Sequence, residues 1–257
     1  MHDDHEGDGR RASVRLVRHA TLQLDLGGRR LLVDPMLDPA QARPAVANTP
    51  NDRRNPLVDL PEPAEQVVAW AEAVLVTHLH VDHLDPTAVA LVGDGLPVFA
   101  QPEDVETLVA RGLERVTAVE PSAGWNGLDI VRTGGRHGHG DLADQMAPVS
   151  GFVLKDERLS VYVAGDTVWC DEVADALAEH RPDVVVVNAG GARFTTGDPI
   201  TMTAADVRAV RAAAPAATIV AVHLEAINHC LETRDELRAA TAGAGILVPG
   251  DGETIAL

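Results

Sequence analysis

The chain has 257 residues, 46% of them apolar, with 39 acidic against 21 basic side chains and a formal charge of −18 at neutral pH. That is material for one large domain with its own core, and such a charge repels phosphate backbones, which excludes nucleic acid as the expected partner. No apolar run reaches the length of a membrane span and the first residues hold no signal-peptide core, so a cytoplasmic protein with no membrane partner is expected; Cys170 and Cys230, without C-x-x-C spacing, build no disulfide framework.

Residues 1–12 read as a charged, disordered leader in which His2 and His5 belong to a frayed terminus, and 13–257 as a single domain. Val14 to Val17, Leu22 to Leu26 and Leu31 to Val33 predict a meander turning at Gly27-Gly28. His19 ends a strand of this block; it is either a group facing the chemistry or a hydrogen-bonded hairpin histidine. Residues 36–66 carry Pro39, Pro44, Pro50, Pro56, Pro61 and Pro63 with little periodicity, the pattern of a lid or binding loop. Arg53 and Arg54 within it are candidate contacts for a substrate anion, a solvated charge pair being the stronger reading.

Ala73 to Val76 is a short apolar run predicting a buried strand, and it empties into Thr77-His78-Leu79-His80-Val81-Asp82-His83. Two apart in extended backbone, His78 and His80 point the same way and can hold one ion; Asp82 and His83 lie beyond the turn and can face a second. Imidazole with carboxylate suits zinc, and also manganese or iron. A βαβ rhythm follows, with helices at Asp85 to Leu91 and Glu103 to Arg111 and strands at Pro97 to Ala100, Arg115 to Val119 and Leu128 to Thr133. The glycine-rich turn Arg136-His137-Gly138-His139-Gly140 lets backbone approach a ligand closely. Further strands run from Gly151 to Leu154 and Leu159 to Ala164, the second feeding Gly165-Asp166-Thr167. A helix over Asp171 to His180 precedes the strand Val184 to Val187. The tight turn Asn188-Ala189-Gly190-Gly191 lacks the G-x-G-x-x-G of a dinucleotide site. Thr203-Ala204-Ala205-Asp206 is a capping-box variant opening a helix to about Ala213. The strand Thr218 to Val222 ends in His223 as the earlier strand ends in His78; His229 competes for the same role, and the rigid strand terminus favours His223.

The H-x-H-x-D-H pattern of His78, His80, Asp82 and His83 resembles the signature of the metallo-β-lactamase superfamily, and the resemblance spans roughly residues 13–257. The layout is most similar to its small metal-dependent hydrolases, the group that includes the ascorbate-phosphate lactonase-like proteins. The resemblance implies an α/β fold, a four-layer αββα sandwich with two divalent ions at one edge of the sheets, zinc first and manganese second. It implies a first site of His78, His80 and His137, with His139 as the alternative third ligand. The second would be Asp82, His83 and His223, with His229 as the alternative, and Asp166 would bridge the two. In that family a hydroxide shared by the ions attacks the substrate, here a small cyclic ester, amide or phosphoester, and Asp82 would move the proton. Glu225 and whichever histidines do not ligate would face the substrate or support the ligands. Trp169 stands where quorum-quenching lactonases of the superfamily carry a tyrosine, which counts against acyl-homoserine lactones. A non-catalytic metal sensor on the same scaffold is the competing reading, an iron redox enzyme a weaker one. The lid could also reach a second copy in a homo-oligomer.

Overall fold

The computed structural model describes residues 12–146 and 148–257; the leader with His2 and His5 lies outside them, apart from Ala12. Alternation of apolar residues along the strands builds two sheets. The first contains β1 (Ser13–Arg18), β2 (Thr21–Asp25), β3 (Arg30–Val33), β4 (Ala73–Val76), β5 (Val98–Ala100) and β6 (Val116–Ala118), with β14 (Thr254–Ala256) at its edge, in the order β14-β1-β2-β3-β4-β5-β6. The second contains β7 (Ser122–Trp125), β8 (Leu128–Thr133), β9 (Gly151–Lys155), β10 (Ser160–Val163), β11 (Val184–Asn188), β12 (Thr218–Val222) and β13 (Ile246–Leu247), in the order β13-β12-β11-β10-β9-β8-β7. Each sheet is antiparallel in one part and parallel in the other: β3 to β6 run parallel, as do β10 to β13.

Period 2 decides which face of each strand meets which layer. Leu22, Leu24, Leu31, Val33 and Leu75 of the first sheet pack against Ile130, Phe152, Leu154, Val163, Val186 and Val220 of the second. Their neighbours one residue along point outward. Leu32, Val74, Val76 and Val98 meet α1 (Ala64–Trp70), α2 (Pro86–Val92) and α3 (Val105–Ala110). Val153, Tyr162, Val185, Val187, Ile219 and Ala221 meet α5 (Asp171–His180), α6 (Ala204–Ala213) and α7 (Arg234–Ala240). The result is the expected four-layer αββα sandwich. Each fully buried Val, Leu or Ile contributes about 1.5–3 kcal/mol, and strands buried on both faces explain the unbroken apolar runs at 73–76 and 184–187.

The sequence reading passed over α1, the short α4 (Gly140–Met146), α7 and the strands β7, β13 and β14. The last two are two and three residues long, too short for a periodic signal. Segment 36–66 is irregular until α1 begins at Ala64, with one bridge between Arg43 and Asn55. It is firmly attached. Arg18, fully buried in β1, donates to the carbonyls of Met36 (2.6 Å), Asp38 (3.0 Å) and Val58 (2.9 Å). A small core of Met36, Ile200, Ala226, Ile227 and Cys230, with Val46 and Val58 against it, lies beneath the segment. No helix among the described residues is long and apolar enough to cross a membrane.

Candidate metal centre

Strand ends from both sheets meet at one edge, and two clusters of donor atoms form there. His78, His80, His137 and Asp166 make one; His19, Asp82, His83 and His223 make the other, each with ligand atoms within 4.8 Å of one another. β4 delivers His78, His80, Asp82 and His83; β8 leads to His137, β10 to Asp166 and β12 to His223. His78 Nε2 lies 2.9 Å from His80 Nδ1, so the two rings converge on one point as their spacing requires. Asp166 stands between the clusters. Its Oδ2 is 3.3 Å from His83 Nε2, 3.4 Å from His137 Nε2 and 4.0 Å from His78 Nε2, while its Oδ1 is 3.3 Å from His223 Nε2.

The chain holds this edge in backbone conformations that local preference opposes. His19 (φ 61°), Asp34 (φ 45°) and His223 (φ 67°) are left-handed without being glycine, a state that persists only where surrounding structure over-determines it. The backbone N–H of His223 donates to the carbonyl of His19 at 2.8 Å, and their rings lie 3.6 Å apart, which ties the two sheets together at the site. Two glycines make the approach feasible. Gly165 (φ 69°) turns β10 into Asp166, and a Cβ on Gly190 would sit 2.2 Å from the His223 carbonyl oxygen and 2.9 Å from Cys230 Cβ.

Each donor is aimed by a neighbour. Asp34, buried, accepts from His83 Nδ1 (2.8 Å), from the Thr77 hydroxyl (2.7 Å) and from the Thr77 backbone N–H (2.7 Å), so His83 turns Nε2 inward. His137 Nδ1 donates to the Ile200 carbonyl at 2.7 Å. The Asn188 amide donates to Asp166 Oδ1 at 2.7 Å, and Cys230 Sγ lies 3.4 Å from His223 Nδ1. Such outer partners fix tautomer and orientation. The sequence reading gave Asn188 and Cys230 no part in the site, and Asp34 only a place at a strand end near the metal edge. Asp34 carried the one available signal, an aspartate directly after an apolar strand, as at Asp166.

The residues fit metal ions. His83 Nε2 and His223 Nε2 are buried and have no hydrogen-bond partner among the described residues, a costly arrangement for a polar atom that a ligated cation removes. The electrostatics agree. Burial pushes His78, His223, His19 and His80 down towards the neutral form, which is the ligating form. Burial would raise Asp82 and Asp166, but the surrounding histidines outweigh it and hold both carboxyls well below their usual range. For His83 burial also opposes the charge, but Asp166 and Asp34 outweigh it and raise its pKa.

The remaining candidates fall as follows. His19 is fully buried with Nε2 3.1 Å from Asp82 Oδ2, inside the second cluster. His139 is exposed and in neither cluster. His229 is buried, stacks on Phe194 and stands outside both. Glu225 turns away to accept from Arg234, and Trp169 packs half-buried against the outer core of the second sheet. Arg54 donates to the carbonyls of Gln41 and Ala42, and Arg53 is exposed.

Residues 29–224 match the model of the beta-lactamase superfamily domain. The chain is 36% identical to the UPF0173 protein YddR of Bacillus subtilis over 250 residues, covering 94% of this chain and 98% of that one. Among solved structures it is similar to a possible metal-dependent hydrolase from Veillonella parvula (TM-score 0.92, 32% identity, 96% of this chain and 100% of that one). It is also similar to isothiocyanate hydrolase from Delia radicum gut bacteria (TM-score 0.90, 36% identity, 95% and 99%). With the αββα layers and the strand-end donor clusters in place, the chain belongs to the beta-lactamase superfamily.

Proposed function

We propose that the chain is a dinuclear metal-dependent hydrolase of a small neutral electrophile, with isothiocyanates as the first class to test. The observation that carries this reading is the pair of donor clusters joined by Asp166. His78, His80 and His137 would hold one ion, Asp82, His83 and His223 with His19 the other, and Asp166 both. Bound there, zinc or manganese would supply a Lewis acid and lower the pKa of water towards about 7. No recognisable nucleophile motif competes for the role, and relatives that include an isothiocyanate hydrolase and metal-dependent hydrolases support it.

The chain's own residues would then orient the reaction. Asp82 Oδ2, accepting from His19 and ionised across the neutral range, directs a water proton and aims the oxygen at the substrate's electrophilic carbon. Phe194 and the adjacent small core exclude bulk water on one side. His229, held neutral by burial and with Nδ1 unpaired among the described residues, can donate to the departing atom. For an isothiocyanate the balance is one water added, a C–O bond formed, the C–N bond broken, and both protons ending on nitrogen, giving an amine and carbonyl sulfide.

The test is protein loaded separately with zinc and manganese, its metal content measured, then offered isothiocyanates, lactones, lactams and a chromogenic phosphodiester. Two ions per chain with isothiocyanate turnover that Asp166→Ala abolishes is the expected result. Turnover of a lactone alone would return the reading to cyclic esters. Two ions and no turnover of any class would favour the sensor.

A further inference from the structure

Beside the metal centre lies a depression of about 280 Å³ that no ligand residue fills. Asp82 and Arg43 line it together with the apolar side chains of Pro44, Val46, Val81 and Ile227. That volume is at the small end for ligand sites, enough for a short chain or one ring. Val81 is 44% exposed in the middle of the metal loop, between His80 and Asp82. A β-branched apolar residue left open at the mouth of a charged site gains nothing from water and would gain from an apolar group laid against it.

The charge on Arg43 does not select an anion. Arg43 is paired with Asp38 and lies 3.7 Å from Asp85, so its charge is met by carboxylates already present. Its Nη2 remains buried without a hydrogen-bond partner among the described residues, which leaves N–H groups for a neutral acceptor. The Asp82 carboxylate in the pocket and those of Asp38 and Asp85 behind Arg43, on a chain of net charge −18, oppose an acidic tail.

The walls are held rigidly by one side chain. Asn228 follows Ile227, and its Oδ1 accepts from the Val46 backbone N–H (3.0 Å) and from Asn55 Nδ2 (2.7 Å). Its Nδ2 donates to the Thr49 hydroxyl (2.6 Å) and the Asn51 carbonyl (3.0 Å), and its backbone N–H to Asn55 Oδ1 (2.9 Å). The wall from segment 36–66 and the wall from the loop after β12 are thereby pinned to each other. A pocket braced in this way discriminates by size, because its walls cannot retreat.

We infer that this depression is the substrate's tail subsite: it takes the apolar substituent of a neutral electrophile whose reacting carbon lies at Asp82, with Val46, Val81 and Ile227 setting the accepted size. The inference rests on the hydrolase reading above and names the part of the substrate that reading left open.

The experiment uses the metal-loaded full chain and compares kcat/KM for methyl and benzyl isothiocyanate in wild type, Val81→Asp and Val46→Trp. Val81 is exposed, so its replacement does not threaten the fold; the Trp fills the pocket. The expected result is a benzyl preference of at least about ten-fold in wild type, the worth of two or so buried methylenes, collapsing to near parity in both variants. A preference unchanged in both would overturn the subsite. If wild type turns over neither compound, ligand-observed NMR with benzyl alcohol, neutral and not hydrolysable, reads the pocket separately. Saturable binding weakened ten-fold in both variants would uphold the subsite while the isothiocyanate reading fails. Equal binding to all three proteins would overturn it.

Discussion

His223 and His229 divide the roles that spacing alone left open between them. His223 places Nε2 3.3 Å from Asp166 Oδ1, whereas His229 stacks on Phe194 outside both clusters. His223→Ala is expected to bind one ion where wild type binds two, and His229→Ala to keep both, with metal content per chain as the measurement; the reverse pattern would exchange their roles. Asp34 acts at one remove. Asp34→Asn leaves His83 without its carboxylate partner and Thr77 with a weaker acceptor, so metal affinity in a chelator competition is expected to fall by about 10–100-fold with the fold retained. The legibility of the site differed residue by residue. His78, His80, Asp82 and His83 are close in sequence, so the pairing of His78 with His80, and the turn that carries Asp82 and His83 to the other cluster, are local consequences of one loop. His19 is a donor only because β1 and β12 bring it to a 3.6 Å ring contact with His223, a contact across 204 positions of chain that no window could contain.

At the scale of the element, the helices show which local rules held. Thr203 accepts from the Asp206 backbone N–H while the Asp206 side chain accepts from the Thr203 N–H, so the shorter carboxylate completes the box. Thr203→Ala is expected to cost about 1 kcal/mol in urea unfolding, and with α6 packed on β11 and β12 that loss should appear in global stability. Thr233 and Glu236 build the same box on α7, a T-x-x-E signal the sequence reading passed over. The turn after β11, which resembled a dinucleotide loop without its glycine pattern, serves the metal edge instead: Asn188 orients Asp166, and Gly190 gives way to the His223 carbonyl.

For the whole molecule, the histidine-rich edge couples metal, fold and pH. His19, His78, His80 and His223 are lowered by burial, so the folded chain keeps them neutral while an unfolded chain protonates them below about 6.5. The metal-free fold is therefore expected to lose stability as pH falls through that window, by up to about 1.4 kcal/mol per pH unit for each group. His83 works in the opposite sense. Its raised pKa contributes stability that is present below 6.5 and is lost as pH rises through its folded value, offsetting part of the fall. Asp82 and Asp166, held low, contribute above 3.8 and lose that contribution only in stronger acid. Thermal unfolding of metal-free protein at pH 7.5, 6.5 and 5.5 should show a falling Tm, and the metal-loaded protein a steeper fall because protons compete for the same nitrogens. A flat Tm across that range would contradict the placement of these rings.

The sequence by itself determined most of the strands and the donor-rich loop that follows β4. Strand periodicity, β-branched runs and polar residues at strand ends are local properties, and they gave the strands and the histidine-rich loop through residues close together in the chain, while the sandwich followed from the resemblance that this loop carries. The tertiary structure decided what depends on distant chain meeting at one edge. It put His137, whose Nδ1 meets the Ile200 carbonyl, rather than exposed His139 in a donor cluster; it brought His19 to Asp82, set Asp34 behind His83, and left Arg53 and Arg54 out of the lining of the pocket that Arg43 borders. These are pairings across tens to hundreds of residues, fixed by the packing of two sheets rather than by any segment's own preference.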